Sequence, residues 1–248
     1  MSTKTNGRTA DADTADHAFW RDHSTIVLSP VAAPSILGLF GFAAATFMVA
    51  ANLAGWYGST DTPLVLFPFA LTAGGIAQFL AGMWAYRARD AIATAIHGIW
   101  GSFWIAYGLY TLLIALGALP PATTGSGSAP GAFGLWFVVL AAITWVGAIA
   151  ATADNTALTA LLVMLAAGST LLAIALLAAT PTVLVIGAYL LIISALIAWY
   201  LAAALILEAA FNRPVLPTGK RHTLQAADVL TSNPIQYAAG EPGVKVGQ

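Results

Sequence analysis

The chain has 248 residues, of which 59% are hydrophobic and only 8% charged, against roughly 25% charged in an ordinary soluble domain. So few charges cannot clothe a globule of this size in water, which excludes a soluble enzyme, a disordered chain and a nucleic-acid binder. A net charge of -1 leaves no basic surface for phosphate backbones, and the absence of cysteine removes disulfides, thiolate metal sites and thiol nucleophiles.

Residues 1–28 are polar, small and acidic and contain no apolar stretch of the kind that marks a secretory signal. Met1 to Asp16 is expected to be a disordered tail. His17 to Leu28 is mildly amphipathic and fits a short helix lying along a bilayer surface. Between Ile26 and Leu207 only Asp61, Arg87, Arg89, Asp90 and Asp154 carry charge. Uncharged apolar runs of about 18 residues or more read as membrane spans.

Turn chemistry separates six of them. The first runs from Ile36 to Tyr57 and stops at Gly58-Ser59-Thr60-Asp61; the second, Pro63 to Tyr86, stops at Arg87-Ala88-Arg89-Asp90. The third, Ile92 to Leu119, ends at Pro120-Pro121 and a Gly/Ser/Pro loop from Ala122 to Gly131. The fourth is Phe133 to Thr152, the fifth Leu158 to Ala179, and the sixth Val183 to Phe211, ending at Asn212-Arg213-Pro214. Continuous apolar runs predict helices, because each unpaired backbone group in hydrocarbon costs several kcal/mol; a β-barrel would show alternation over about ten residues. The expected fold class is therefore an all-α membrane protein, a six-helix bundle. Its domains are a tail over 1–32, a six-helix transmembrane domain over 33–212 and a flexible tail over 213–248. The loop cations Arg87, Arg89, Arg213, Lys220 and Arg221 all follow even-numbered spans, which puts both termini in the cytoplasm of a cell-membrane protein.

Small residues mark helix contacts in lipid. Gly38 and Gly41, Gly74, Gly75 and Gly82, and Gly98, Gly101 and Gly108 cluster in this way. A faint echo links GLFGF at Gly38, GIWGSF at Gly98 and LAAGST at Leu165, consistent with three helix pairs about an axis.

Polar groups inside spans are costly and become candidates for function. They are Asn52, Gln78, His97, Ser102, Ser169, Thr170 and Ser194. No acid or base sits at the centre of a span; Glu208, near the end of the sixth, is placed to reach water or Arg213. The Gln78 amide suits a carboxyl group or an interhelical hydrogen bond. His97 is either a proton-sensitive solute contact or a packed histidine. The candidate solute-contacting set is Gln78, Asn52, His97 and Ser102. Phe40, Phe42, Trp100, Phe103 and Trp104 supply either a narrow apolar neck or helix- and lipid-facing bulk. No catalytic motif, metal-ligand spacing or cofactor fingerprint is present.

The stretch GGIAQFLAGMWAYRARDAIATAIHGIWGSFWIAYGLY, Gly74 to Tyr110, resembles the acetate uptake transporter family, the succinate–acetate permeases. APSILGLFGFAAAT at Ala33 and FNRPVLPTG at Phe211 are similar to that family's two ends. The resemblance implies a homo-hexamer in the lipid bilayer, with a solute path through each subunit for acetate, other short monocarboxylates or succinate, accompanied by protons. It also implies an apolar constriction of Phe42, Trp100 and Leu165. Where the family has Asn-Pro-x-Pro-Leu-Gly-Leu, this chain reads Ala33-Pro34-Ser35-Ile36-Leu37-Gly38-Leu39; Trp100 stands where tyrosine is common, and His97 is unexpected. The residues themselves leave two alternatives: a channel for a neutral solute such as urea, and a non-transporting membrane sensor or scaffold.

Overall fold

The structure, a computed structural model, describes residues 32–121 and 129–220. The expected N-terminal tail and surface helix, most of the loop after the third span, and the chain beyond 220 lie outside the described residues. Among the described residues six helices are long and apolar enough to cross a membrane: α1 Pro34–Leu53, α2 Thr62–Ala88, α3 Ala91–Ala115, α4 Ala129–Ala151, α5 Thr156–Ala178 and α6 Pro181–Phe211. All six expected spans are present. The first and third end about one turn before their apolar runs do, because the chain reverses at Gly55 and Gly117, both in the left-handed region.

Local chemistry sets the helix ends. Pro34, Pro63 and Pro181 occupy first-turn positions, where the missing N–H costs nothing. The Asp90 carboxylate accepts from the Ala93 amide at 2.8 Å, and the Asn155 side chain accepts from Leu158 at 2.8 Å. Each satisfies one orphan donor at a helix start.

The second span is not a uniform helix. Residues Thr62–Phe69 are α-helical with Pro68 inside, Ala70–Ala77 form a wider π-helical segment, and Gln78–Ala88 resume the α-helix. Pro68 cannot donate to the carbonyl four residues back, and the ladder downstream is rewound. Such segments move every later side chain to a new face.

The helices close a ring in chain order. α4 packs on α5, α5 on α6, α6 on α1, α1 on α2 and α2 on α3; the α3–α4 seam is by far the thinnest of the six. Glycine makes the α2–α3 contact close enough to exclude lipid. A Cβ on Gly75 would lie 2.9 Å from the Ile105 nitrogen, and one on Gly82 would lie 2.6 Å from the Gly98 nitrogen. Across the weak seam aromatic rings supply the bulk instead: Phe133 on α4 stacks near Tyr110 and meets Phe103 and Tyr107 of α3.

After α6 the chain, as far as Lys220, returns to the start of α5. Gly219 and Thr218 carbonyls accept from the amides of Thr156 and Ala157 at the start of α5, and the Tyr200 hydroxyl donates to Pro217. Glu208 pairs with Lys220 at 2.7 Å rather than with Arg213, because this return brings the lysine back along α6.

The packing predicts a contrast between two glycines. Gly75→Ala should lower stability in detergent by about 1–3 kcal/mol, since a backbone atom must yield. Gly131→Ala, where a Cβ meets nothing within 4 Å, should leave it unchanged or raise it by up to about 1 kcal/mol. Thermal unfolding of the two purified variants checks this; equal midpoints would contradict it.

Candidate functional site: two chambers and the barrier between them

Among the described residues the helices of the ring enclose a distal and a proximal chamber. The distal chamber, about 230 Å³, is lined near its opening by Asn52, Ser59, Thr62 and Pro121, and deeper by Thr46, Trp100 and Trp104. The proximal chamber, about 170 Å³, opens beside Ala33 and Lys220 and reaches Phe42, Gln78, His97 and Leu165. Each volume holds several molecules the size of water.

The residues between the chambers are apolar and close-packed. Phe42 and Leu165 face the proximal chamber, while Trp100 faces the distal one. The Phe42 and Trp100 rings meet edge to face with centroids 6.1 Å apart. Trp100 and Phe42 are each 2% exposed and Leu165 is fully buried, so the three are packed tightly between the chambers. These three residues come from α1, α3 and α5, one from each.

Trp100 is held by a hydrogen bond. Its indole nitrogen donates to the Thr144 hydroxyl at 3.0 Å, and that hydroxyl donates to the Leu140 carbonyl at 2.6 Å. The pair spans the α3–α4 seam in a fully buried setting, where an orphaned donor is expensive.

On the proximal side, the π-helical segment ends at Gln78, which is 1% exposed, with no partner for its Oε1 among the described residues. The His97 ring lies flat on Gly38: a Cβ there would fall 2.6 Å from its Cε1. His97 Nδ1 is also buried and has no partner among the described residues. Asp90, Asp154 and Lys220 line this chamber as well. Asn52 sits in the other chamber, with its amide nitrogen donating to the Tyr57 carbonyl at 2.8 Å. Ser102 joins neither group: it is exposed, its hydroxyl donates to the Gly98 carbonyl, and it lines neither chamber. Ser194 and Thr170 are likewise occupied, on Leu161 and Ala166 carbonyls. Among the described residues no cluster of histidines and carboxylates could hold a metal ion.

Sequence reasoning did not single out Thr46 or Thr144. Thr144 is one of many threonines on apolar faces, and only the seam geometry opposite Trp100 distinguishes it.

A ring of six spanning helices around two chambers defines a multi-pass membrane protein with a chambered interior. The GPR1/FUN34/yaaH family profile matches residues 20–218, and the chain belongs to that family. It is 26% identical over 193 residues to the succinate-acetate/proton symporter SatP of Escherichia coli strain K12, covering 77% of this chain and 97% of that protein. An uncharacterized protein of Methanothermobacter thermautotrophicus is 30% identical over 109 residues, 44% of this chain and 52% of its own length. Among solved structures, that of the bacterial acetate channel SatP superposes with a TM-score of 0.68 at 24% identity, over 77% of this chain and 100% of the other. That likeness shows the fold.

The barrier geometry predicts the effect of Thr144→Val. The side chain keeps its shape but the Trp100 N–H loses its acceptor, which should cost about 1–3 kcal/mol. Chemical or thermal unfolding in detergent measures it; wild-type stability would mean the indole is not held by this bond.

Proposed function

We propose that this protein carries acetate and related short carboxylic acids, succinate among them, across the cell membrane together with protons. The observation that supports it best is the pair of chambers separated by an uncharged apolar neck of Phe42, Trp100 and Leu165. A bare carboxylate entering that neck would shed its hydration with no compensating charge. A carboxylic acid titrates near pH 4, so at pH 7 only about one molecule in a thousand is neutral; that form crosses with the least penalty. The proton then moves with the solute, without a buried carboxylate relay.

Gln78 and His97 are the solute contacts on the proximal side and Asn52 on the distal side. Ser102, which lines neither chamber, has no part in this reading. The names of the similar proteins, a succinate-acetate/proton symporter and an acetate channel, point to the same solutes. The loop cations orient the proximal chamber toward the cytoplasm, and assembly as a homo-hexamer, implied by the resemblance, belongs to the same proposal.

The test is flux into liposomes holding the purified protein, with acetate, lactate, succinate and urea at two pH values. Acetate uptake should exceed that of empty vesicles and, at fixed total acetate, fall as external pH rises above the solute's own pKa, as the neutral fraction drops about tenfold per unit. Urea flux equal to or above acetate, independent of pH, would favour a neutral-solute channel; no flux of any solute would favour a scaffold. Gln78→Ala and Trp100→Ala should each change the acetate rate, and wild-type rates in both would remove those two assignments.

A further inference from the structure

The helix contacts of the ring differ in kind. Between α2 and α3 the nearest atoms are backbone. A Cβ on Gly82 would meet the Gly98 nitrogen at 2.6 Å, one on Gly101 the Phe79 nitrogen at 2.5 Å, and one on Gly108 the Leu71 Cα at 2.9 Å. Two helices so close move as one piece, because neither backbone can give way. The α3–α4 seam is made of side chains instead. A Cβ on Gly147 of α4 would meet the Ile96 Cδ1 of α3 at 2.6 Å, and the Phe103 ring of α3 meets Phe137 and Phe133 of α4 with centroids 5.5 and 6.2 Å apart. Side chains in contact can slide while their helices shift by an ångström or two, which is how packed helices shear.

The neck is built across this seam. Trp100 stands on α3 and Leu165 on α5. The α4–α5 contact is the most extensive in the ring, so Leu165 stays with α4 while Trp100 stays with α3. The tie between the two sides is the bond from the Trp100 indole to the Thr144 hydroxyl on α4, at 3.0 Å. Its polarity is fixed. A hydroxyl has one hydrogen, and that of Thr144 goes to the Leu140 carbonyl at 2.6 Å. Toward the indole Thr144 is an acceptor alone. Parting α3 from α4 therefore draws the Trp100 ring away from Leu165 and strips its N–H of a partner in the same step.

We propose that the α3–α4 seam is the gate of the neck, and that the Trp100–Thr144 hydrogen bond is the latch that holds it shut. This deepens the transport reading and rests on it. In the structure the latch is closed and Trp100 is 2% exposed. When the seam parts, the neck widens on its Trp100 side while the glycine-packed α2–α3 contact keeps its shape. One hydrogen bond suits a latch of this kind: it biases an equilibrium by a factor of about 2 to 12, enough to hold the gate shut without locking it.

The experiment uses the full chain in proteoliposomes and nanodiscs. Thr144→Val should raise the maximal rate of labelled acetate uptake about fivefold with KM within about twofold of wild type, and Thr144→Ser, which keeps the acceptor, should match wild type. A purely structural loss would lower the rate. The chain has no cysteine, so spin labels at Leu109→Cys on α3 and Val146→Cys on α4, both exposed positions, report the seam by electron spin resonance. Thr144→Val should add a population at longer distance. A maximal rate within about twofold of wild type, or a raised rate with unchanged label distances, would overturn the gate. If Thr144→Val aggregates on gel filtration, a short reducible thiol linker between Tyr110→Cys and Phe133→Cys, whose native rings stack across the seam, decides. Linking should stop uptake and reductant should restore it; uptake that persists in the linked protein overturns the gate. If wild type moves no acetate, the transport reading fails separately, and the gate then stands only if Thr144→Val lengthens the label distances.

Discussion

The neck that divides the interior depends on one side chain held in place. Trp100 fills the space between the chambers because its indole donates to Thr144 across the thinnest helix contact in the ring. Without that acceptor the ring would have an orphaned donor in a dry setting. The Thr144 hydroxyl is itself anchored on the Leu140 carbonyl, so the tether leads into the α4 backbone. The barrier is then a property of the α3–α4 seam as much as of the ring itself. Phe103, Phe133 and Phe137 pack around the same seam and limit how far the two helices can part.

The neighbouring wall works differently. α2 and α3 approach through glycines whose missing side chains leave no room for repacking, which makes that wall stiff. The π-helical segment sits within it. Gly74 seats Trp104, the Ala73 carbonyl lies against Gly41 of α1, and the α-helix resumes at Gln78. One irregular stretch thus serves both chambers, seating a ring on one side and placing an amide on the other.

Much of this was legible in the chain. Six apolar runs cut by Gly58, Arg89, Pro120, Asn155 and Pro181 give six helices, since lipid admits little else. Gln78 and His97 stood out because polar groups in a span are costly, and both do line a chamber. Ser102 stood out for the same reason and does not; a hydroxyl can satisfy itself on the carbonyl one turn back, an outlet closed to a glutamine. Pro68 and the Gly74-Gly75 pair announce an irregularity in α2, but the register of the rewound turn depends on what α1 and α3 press against it. The same limit hid Thr144. It is a threonine on an apolar helix, and its difference from Thr170 lies in which partner faces it. The Glu208–Lys220 pair was missed because it requires the chain to return from Pro217 to the start of α5.

The central claim is that solute passes the neck as the neutral acid. The most direct measurement is the dependence of acetate flux on membrane potential in proteoliposomes clamped with potassium and valinomycin, at fixed pH on both sides. Neutral passage predicts initial rates that do not change with the sign or size of the imposed potential. Rates that rise several-fold when the receiving side is made positive would mean that the anion itself crosses, and would contradict the account.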